Sequence, residues 1–438
     1  MQINLIAEGV SNMKTKKGLV ISWYFPPINS SEGLCTFKLL KNSKFNYDVY
    51  TQKNNKSWSY DTNEDKLLSD NINTVFSDAS QINIWVKEGV EKYKNNVSDY
   101  DFIMSRSMAP ESHEIALEIK RHNPNLLWIA SFGDPIANSP YMNLIKEESP
   151  HKVLGTGIFS HSIKYVLSPK RVIKNIWWNY KTEKYKRKNT RIYKDEKLQD
   201  VVLKECDIII FNNNYQKDYM LEGYSEDIKD KALVLPHGYD EDFYTKKKID
   251  KNEKYTISYL GHLDDIRTPR NFLSALKRLK IEEKELYNKL QFNIYGNMAP
   301  KDKIYLVDND LCEIVKFKKP IKYFESLEVM RQSDLLLLVD ANLGAVTPKN
   351  IFYAAKLADY IGSKSNIFGI TMQDGPSADI IKEIGGVISS HSADDIYNNL
   401  LMILKNKIEI KTLDKNKKYN MKTIAKTFDD RVNKELGK

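Results

Sequence analysis

Cysteine is scarce, with 3 in 438 residues. Cys35, Cys206 and Cys312 lie far apart with no CxxC or CxxH spacing. That excludes a disulfide scaffold and a cysteine zinc site, and fits a reducing compartment. Glycine (18) and proline (14) are too few for a collagen-like or linker-dominated chain. No run approaches the ~18 apolar residues of a membrane-spanning helix. The run LLLLV at 335–339 ends in polar residues and reads as a buried strand. No GxGxxG is present, so a dinucleotide site is unsupported. RNP, zinc-finger and basic-zipper patterns are absent too, so no nucleic-acid partner is expected. The first residues, MQINLIAEGVSNMKTKK, lack a charged segment ahead of an apolar one. The reading is a cytoplasmic protein with an N-terminal extension over 1–17.

What is present is globular in proportion: 41% hydrophobic and 29% charged. The length suggests two or three domains. Net charge is +9, and its distribution is uneven. Between Lys164 and Arg191 stand ten Lys/Arg and one acid, Glu183, so this window carries the whole excess. Val172, Ile173, Ile176, Trp177 and Tyr180 make an apolar stripe at helical spacing inside it. A basic amphipathic helix with Trp and Tyr suits an anionic membrane surface, and equally a helix packed on a sheet with solvated lysines.

Short, almost continuously apolar runs alternate with helical stretches. Strands are predicted at 18–24, 47–51, 101–105, 126–131, 207–211 and 232–236, then at 255–261, 290–296, 314–317, 334–339, 366–371 and 385–389. Such runs are parallel strands covered on both faces, in βαβ order. The series divides at PHGYDEDFYTKKKIDKNEK, which is polar and turn-rich. The expected architecture is α/β: a Rossmann-like domain over 18–236 including the basic segment 163–191, a linker over 237–254, a second such domain over 255–405, and a tail with a helix over 406–438. Each domain is a doubly wound parallel sheet, and the two face a cleft.

Four segments carry candidate chemistry. WYFPPINSSEG (23–33) ends the first strand at a loop where doubly wound folds bind ligands. Gly33 there allows close backbone approach, and a helix N-terminus follows. SRSMAPESHEIALEIKRHNPNLLWIASFGDP (105–135) places His113 on a helix and Asp134 just past a strand end. YLGHLDDIRTPRNFLSAL (259–276) is a strand, Gly261, His262 and a polar loop before a helix, with Arg267 and Arg270 suited to a pyrophosphate. DANLGAVTPKNIFYAAKLADYIGSK (340–364) puts Lys356 and Asp359 three apart on one helix face. Each alone is also consistent with an ordinary turn, a packed histidine or a surface ion pair.

Taken in order, these segments, with LVLPHGYDEDFY, SLEVMRQSDLLLLVD and FYAAKLADYIGSKSNIFGIT, resemble a family-4-type retaining glycosyltransferase of the GT-B fold, in a bacterial cell-surface polysaccharide subgroup. The resemblance runs from about residue 20 to 390. It implies a nucleotide-sugar donor, a carbohydrate or lipid-linked acceptor, retention of configuration, no bound metal and no further cofactor. Asp134, Arg267 and Lys356 would be catalytic. Glu32, Gly33, Gly261, His262, Arg267, Val315, Lys356 and Asp359 would hold the donor, and His113 and Asp134 would stand on the acceptor side. A protein of this kind would work in the cytoplasm or at the inner face of the cell membrane. One departure is clear. The family often has two glutamates eight residues apart, and here Asp359 takes the second place but Ile351 the first. Two rivals therefore stand beside a transferase: a non-catalytic GT-B-like scaffold and a nucleotide-sugar epimerase of the same fold.

Overall fold

The computed structural model describes residues 15–53, 65–147, 190–245, 250, 252–405 and 414–438. The basic segment 163–191 lies outside the described residues except at its last two positions. The first sheet comprises β1 (Lys17–Ile21), β2 (Asn46–Gln52), β3 (Ile72–Ser77), β4 (Phe102–Arg106), β5 (Leu127–Phe132), β6 (Ile208–Phe211) and β7 (Ala232–Val234). The second comprises β8 (Tyr255–Leu260), β9 (Leu290–Tyr295), β10 (Val315–Lys318), β11 (Leu335–Val339), β12 (Asn366–Ile370) and β13 (Val387–Ser389). Strand orders are β3-β2-β1-β4-β5-β6-β7 and β10-β9-β8-β11-β12-β13. All pairs within the sheets are parallel, with Val20 in register with Val49 on one side and Met104 on the other.

Burial explains the composition of the strands. β4, β5, β6 and β11 are buried along their whole length, because helices cover both faces. Each sheet reverses its winding once, between β1 and β4 and between β8 and β11. At such a point the two connections leave in opposite directions and open a crevice beyond the strand ends. The loops at those ends are 22–30 and 107–110 in the first domain, and 261–269 and 340–354 in the second.

The domains share one continuous apolar core. Val20, Phe37 and Phe102 of the first domain belong to the same cluster as Leu260, Leu336 and Tyr360 of the second. Segment 237–244 is packed at His237, Tyr239, Asp240 and Phe243, which are all buried, and exposes Glu241 and Asp242. It runs beside the returning chain: Tyr239 N donates to Tyr419 O (3.0 Å), and Met421 N donates to Tyr239 O (2.9 Å). The helix Met421–Leu436 then docks on the first domain rather than trailing as a tail. Phe428 meets Phe45 and Phe102, and Asp429 accepts from Ser43 Oγ (2.6 Å) and Lys44 N (2.9 Å). No described helix is long and apolar enough to cross a membrane.

Candidate active site

The helix Ser31–Asn42 begins at the end of β1's loop, where Ser30 Oγ caps it by accepting from Gly33 N (2.9 Å). Residues 31, 34, 35 and 38 share one face by helical spacing. That face, Ser31, Leu34, Cys35 and Lys38, forms the first-domain wall of a cavity of about 300 Å³ between the domains. The opposite wall is Gly261, His262, Gly296, Lys356 and Asp359.

Lys356 stands in the first turn of the helix Ala355–Ser363. Its Nζ donates to Tyr259 Oη (3.0 Å) and lies 4.4 Å from that ring's centre. The hydroxyl in turn donates to the His262 carbonyl (3.0 Å). Gly261 has φ +130°, and a Cβ there would sit 2.6 Å from Lys356 Nζ. Gly261 also rests on Gly296, where a Cβ would fall 1.9 Å from the Gly261 carbonyl oxygen. Two glycines thus make room for an ammonium at the mouth of the second sheet.

Asp359 is turned into the cavity wall and bound across the domain boundary. Lys38 Nζ lies 2.6 Å from its Oδ1, with side-chain exposures of 2% and 10%. Tyr323 Oη donates to the same oxygen (2.9 Å), and its ring lies 5.4 Å from Lys38 Nζ. Lys38, Tyr259 and Tyr323 were not among the residues singled out in the sequence. Lys38 had a signal: it is a lone ammonium within the apolar run LCTFKLL.

Several expected site residues are placed otherwise. Arg267 does not line the cavity. Its Nη2 pairs with Asp264 Oδ2 (2.9 Å), and its side chain also meets the Tyr141 hydroxyl of the first domain. Its Nε is buried and makes no hydrogen bond among the described residues. Arg270 is spent on Asp302, at 2.8 Å. Gly33 approaches no open space: a Cβ would meet Phe25 Cα at 3.0 Å, so its role is close packing of helix on loop. Val315 is buried in the second domain's core, and the residues after its strand, Pro320 and Ile321, line the cavity instead. Ile351 is buried, and its carbonyl accepts from Asn213 Nδ2 (3.0 Å) across the boundary.

Glu32 does not line the cavity and is instead held by a buried cation. It forms a 2.7 Å ion pair with Arg106, at exposures of 9% and 5%. Arg106, missed in the sequence, ends β4 and donates to Ser131 Oγ (2.7 Å). Burial raises the Glu32 carboxyl, with Arg106 opposing. A Cβ on Gly133 would touch Glu32 Oε2 at 2.9 Å, so the carboxylate lies against the backbone just before Asp134. Asp134 is exposed to solvent, and it is not among the residues that line the cavity. Protein crowds it on its other sides, and that desolvation, with the negative charge of Glu32, pushes its carboxyl up to about 6 against the pull of Arg106. His113 is not on the cleft. It is fully buried, its Nδ1 is 2.7 Å from Ser105 Oγ, and its ring packs on Phe132. Burial, helped by the Arg106 charge, lowers it to about 3 and keeps it neutral. It is a packing histidine: Ser105, which also accepts from Trp128 Nε1 (2.8 Å), partners its Nδ1, and its Nε2 is buried with no hydrogen bond among the described residues.

No group of three or more His, Cys, Asp or Glu among the described residues is arranged to hold a metal ion. No family model matches the chain, and no curated protein sequence does. Solved structures do. A sucrose-phosphate synthase from Thermosynechococcus elongatus is 12% identical and superposes with a TM-score of 0.64, covering 96% of this chain and 99% of that one. The lipopolysaccharide outer core galactosyltransferase WaaB is 10% identical, with a TM-score of 0.57 over 96% and 99%. A protein described as a UDP-N-acetylglucosamine 2-epimerase from Listeria monocytogenes is 9% identical, with a TM-score of 0.55 over 97% of each chain. Two parallel-sheet domains, a cavity between their carboxyl edges and end-to-end superposition on these proteins agree: the chain has the GT-B fold.

Proposed function

We propose that the protein is a nucleotide-sugar-dependent glycosyltransferase of the retaining, family-4 type, acting on a carbohydrate or lipid-linked acceptor in cell-surface polysaccharide assembly. The observation that carries this reading is the interdomain cavity, where Lys356 stands over Gly261 and Asp359 faces it from one turn further along the helix. A cation beside an open backbone suits a diphosphate, and a carboxylate suits ribose hydroxyls. As the bond to the sugar breaks, negative charge grows on the leaving diphosphate. A preorganised ammonium in a water-poor cleft stabilises that charge more than the ground state. Arg267, once its Asp264 partner is shared, would add a second cation beside Tyr259, which both residues approach. The same charges can serve without a protein-held metal. Incubation with a panel of sugar nucleotides, with and without simple acceptors, tests the reading. Release of nucleoside diphosphate supports a transferase. Interconversion of the sugar nucleotide without acceptor would favour an epimerase, and inertness with all of them a scaffold.

Asp134 would orient the acceptor hydroxyl as a carboxylate. Its group ionises only as pH rises through about 6. The expected result is that kcat/KM for the acceptor climbs across that range and levels off above it, and that Asp134→Asn abolishes the climb. A wild-type profile in Asp134→Asn would remove it from the site. A raised carboxyl also means that Asp134 favours the folded state most at low pH, and that this contribution fades as pH rises through about 6.

The basic segment 163–191 supplies the charge for an anionic membrane surface, where a lipid-linked acceptor would reside. Liposome co-sedimentation should show binding to anionic vesicles at low salt, release at high salt and little binding to neutral vesicles. Protein left in the supernatant with anionic vesicles at low salt would rule this out.

A further inference from the structure

The Asp359 carboxylate is occupied on one side only. Oδ1 receives both Lys38 Nζ (2.6 Å) and Tyr323 Oη (2.9 Å), whereas Oδ2 makes no hydrogen bond among the described residues, although Asp359 lines the cavity. Two donors on one oxygen restrain the carboxylate and leave the other oxygen for a ligand in the cavity that Asp359 lines. They come from different places: Tyr323 from the second domain's helix Tyr323–Gln332, and Lys38 from the first domain. Lys38 is itself held rigidly. It is almost fully buried, packed against the Tyr323 ring, and on the cavity-lining face of its helix. Its charge also offsets that of Asp359, which would otherwise repel an anionic ligand in the same cavity.

We infer that Lys38 is a positioning residue for ribose recognition. Acting from the acceptor domain, it orients and neutralises Asp359 so that Oδ2 accepts from a ribose hydroxyl of the bound nucleoside diphosphate. Discrimination between ribose and deoxyribose is therefore assembled only when the two domains meet. This rests on the nucleotide-sugar reading of the cavity and adds to it a residue from the opposite domain.

The test is calorimetric titration of the full chain with UDP, ADP and GDP, followed by the 2′-deoxy and 3′-deoxy forms of whichever binds. Wild type should prefer the ribonucleotide over at least one deoxy form by about tenfold or more, the worth of a hydrogen bond to a charged group. Lys38→Met should bring that ratio near one, and Lys38→Arg should restore part of it. A change confined to folding would weaken all the nucleotides alike and leave the ratio intact. Tyr323→Phe removes the other Oδ1 donor without touching Lys38, and should lower the ratio partway. That variant serves if Lys38→Met does not fold. An unchanged ratio in Lys38→Met, or in Tyr323→Phe where Lys38→Met fails, overturns the inference while leaving the nucleotide site standing. Absence of any nucleotide binding by wild type overturns both.

Discussion

Lys356→Ala is expected to reduce turnover of the cognate sugar nucleotide by about 10²–10³-fold, the loss that follows removal of one preorganised donor to a developing anion. It should also weaken nucleoside diphosphate binding by about 1.5–3 kcal/mol, the range for a hydrogen bond to a charged group. The effect is large because Lys356 is the cation of that wall that lines the cavity, and Arg267 stands further off. Arg267 lies outside the cavity lining and is already paired with Asp264, and His262 meets Tyr259 through its backbone. Folding should be little affected, since Lys356 donates to a tyrosine hydroxyl rather than to a buried carboxylate. Lys356→Met keeps the stem and removes the charge, and should behave the same way. Steady-state kinetics with nucleotide titration of the same preparations checks both numbers. Wild-type affinity in both variants would mean that the phosphates bind elsewhere.

The second large effect is on stability. Asp359→Ala leaves the Lys38 ammonium buried without a counter-charge, and breaking a buried pair in this way costs about 3–5 kcal/mol. Lys38→Met is expected to be milder, because Asp359 keeps the Tyr323 hydroxyl and lines the cavity. The combined variant Lys38→Met/Asp359→Leu should be more stable than Asp359→Ala, since apolar replacement of a buried pair is often neutral. Urea unfolding of the three variants decides this. If the double variant loses the sum of the single losses, the two side chains do not act as a pair. From sequence alone Asp359 is a donor-binding acid, but the structure also makes it the counter-charge of a residue 321 positions away. Its substitution therefore reports on folding as well as on binding.

Much of the fold was legible in the sequence because a doubly covered parallel strand writes itself as a continuous apolar run. All twelve predicted strands overlap observed ones. The strand that escaped, β3, is an edge strand with partly exposed residues along most of its length, so INTVFS shows no such run. The C-terminal helix was expected, but not its docking on the first domain, because Phe428 and Asp429 find their partners near residues 43–45 and 102 only once the chain has crossed back.

The site was legible in part, for a physical reason. Gly261, Lys356 and Asp359 follow strand ends, where sequence order and place in the fold coincide, and the structure brings them to one cavity. Glu32 and Gly33 are neighbours in sequence of Ser31 and Leu34, which do line it, but a step of one along a helix turns to another face, and Val315 lies five residues before Pro320, the first residue after its strand to reach the cavity. His113 looked available on its helix, and only the pairing of β4 with β5 shows that Ser105, Trp128 and Phe132 enclose it. Lys38 and Arg106 depend on partners in distant elements, which a linear reading does not place together.

The central claim is that the cavity between Lys38 and Lys356 holds a nucleoside diphosphate. Calorimetric titration of wild type and Lys356→Ala with UDP, ADP and GDP tests it most directly. The account predicts one molecule bound per chain for at least one of these nucleotides, with affinity lowered by about 10- to 150-fold in the variant. No heat of binding with any nucleotide, or equal affinity in wild type and variant, would contradict it.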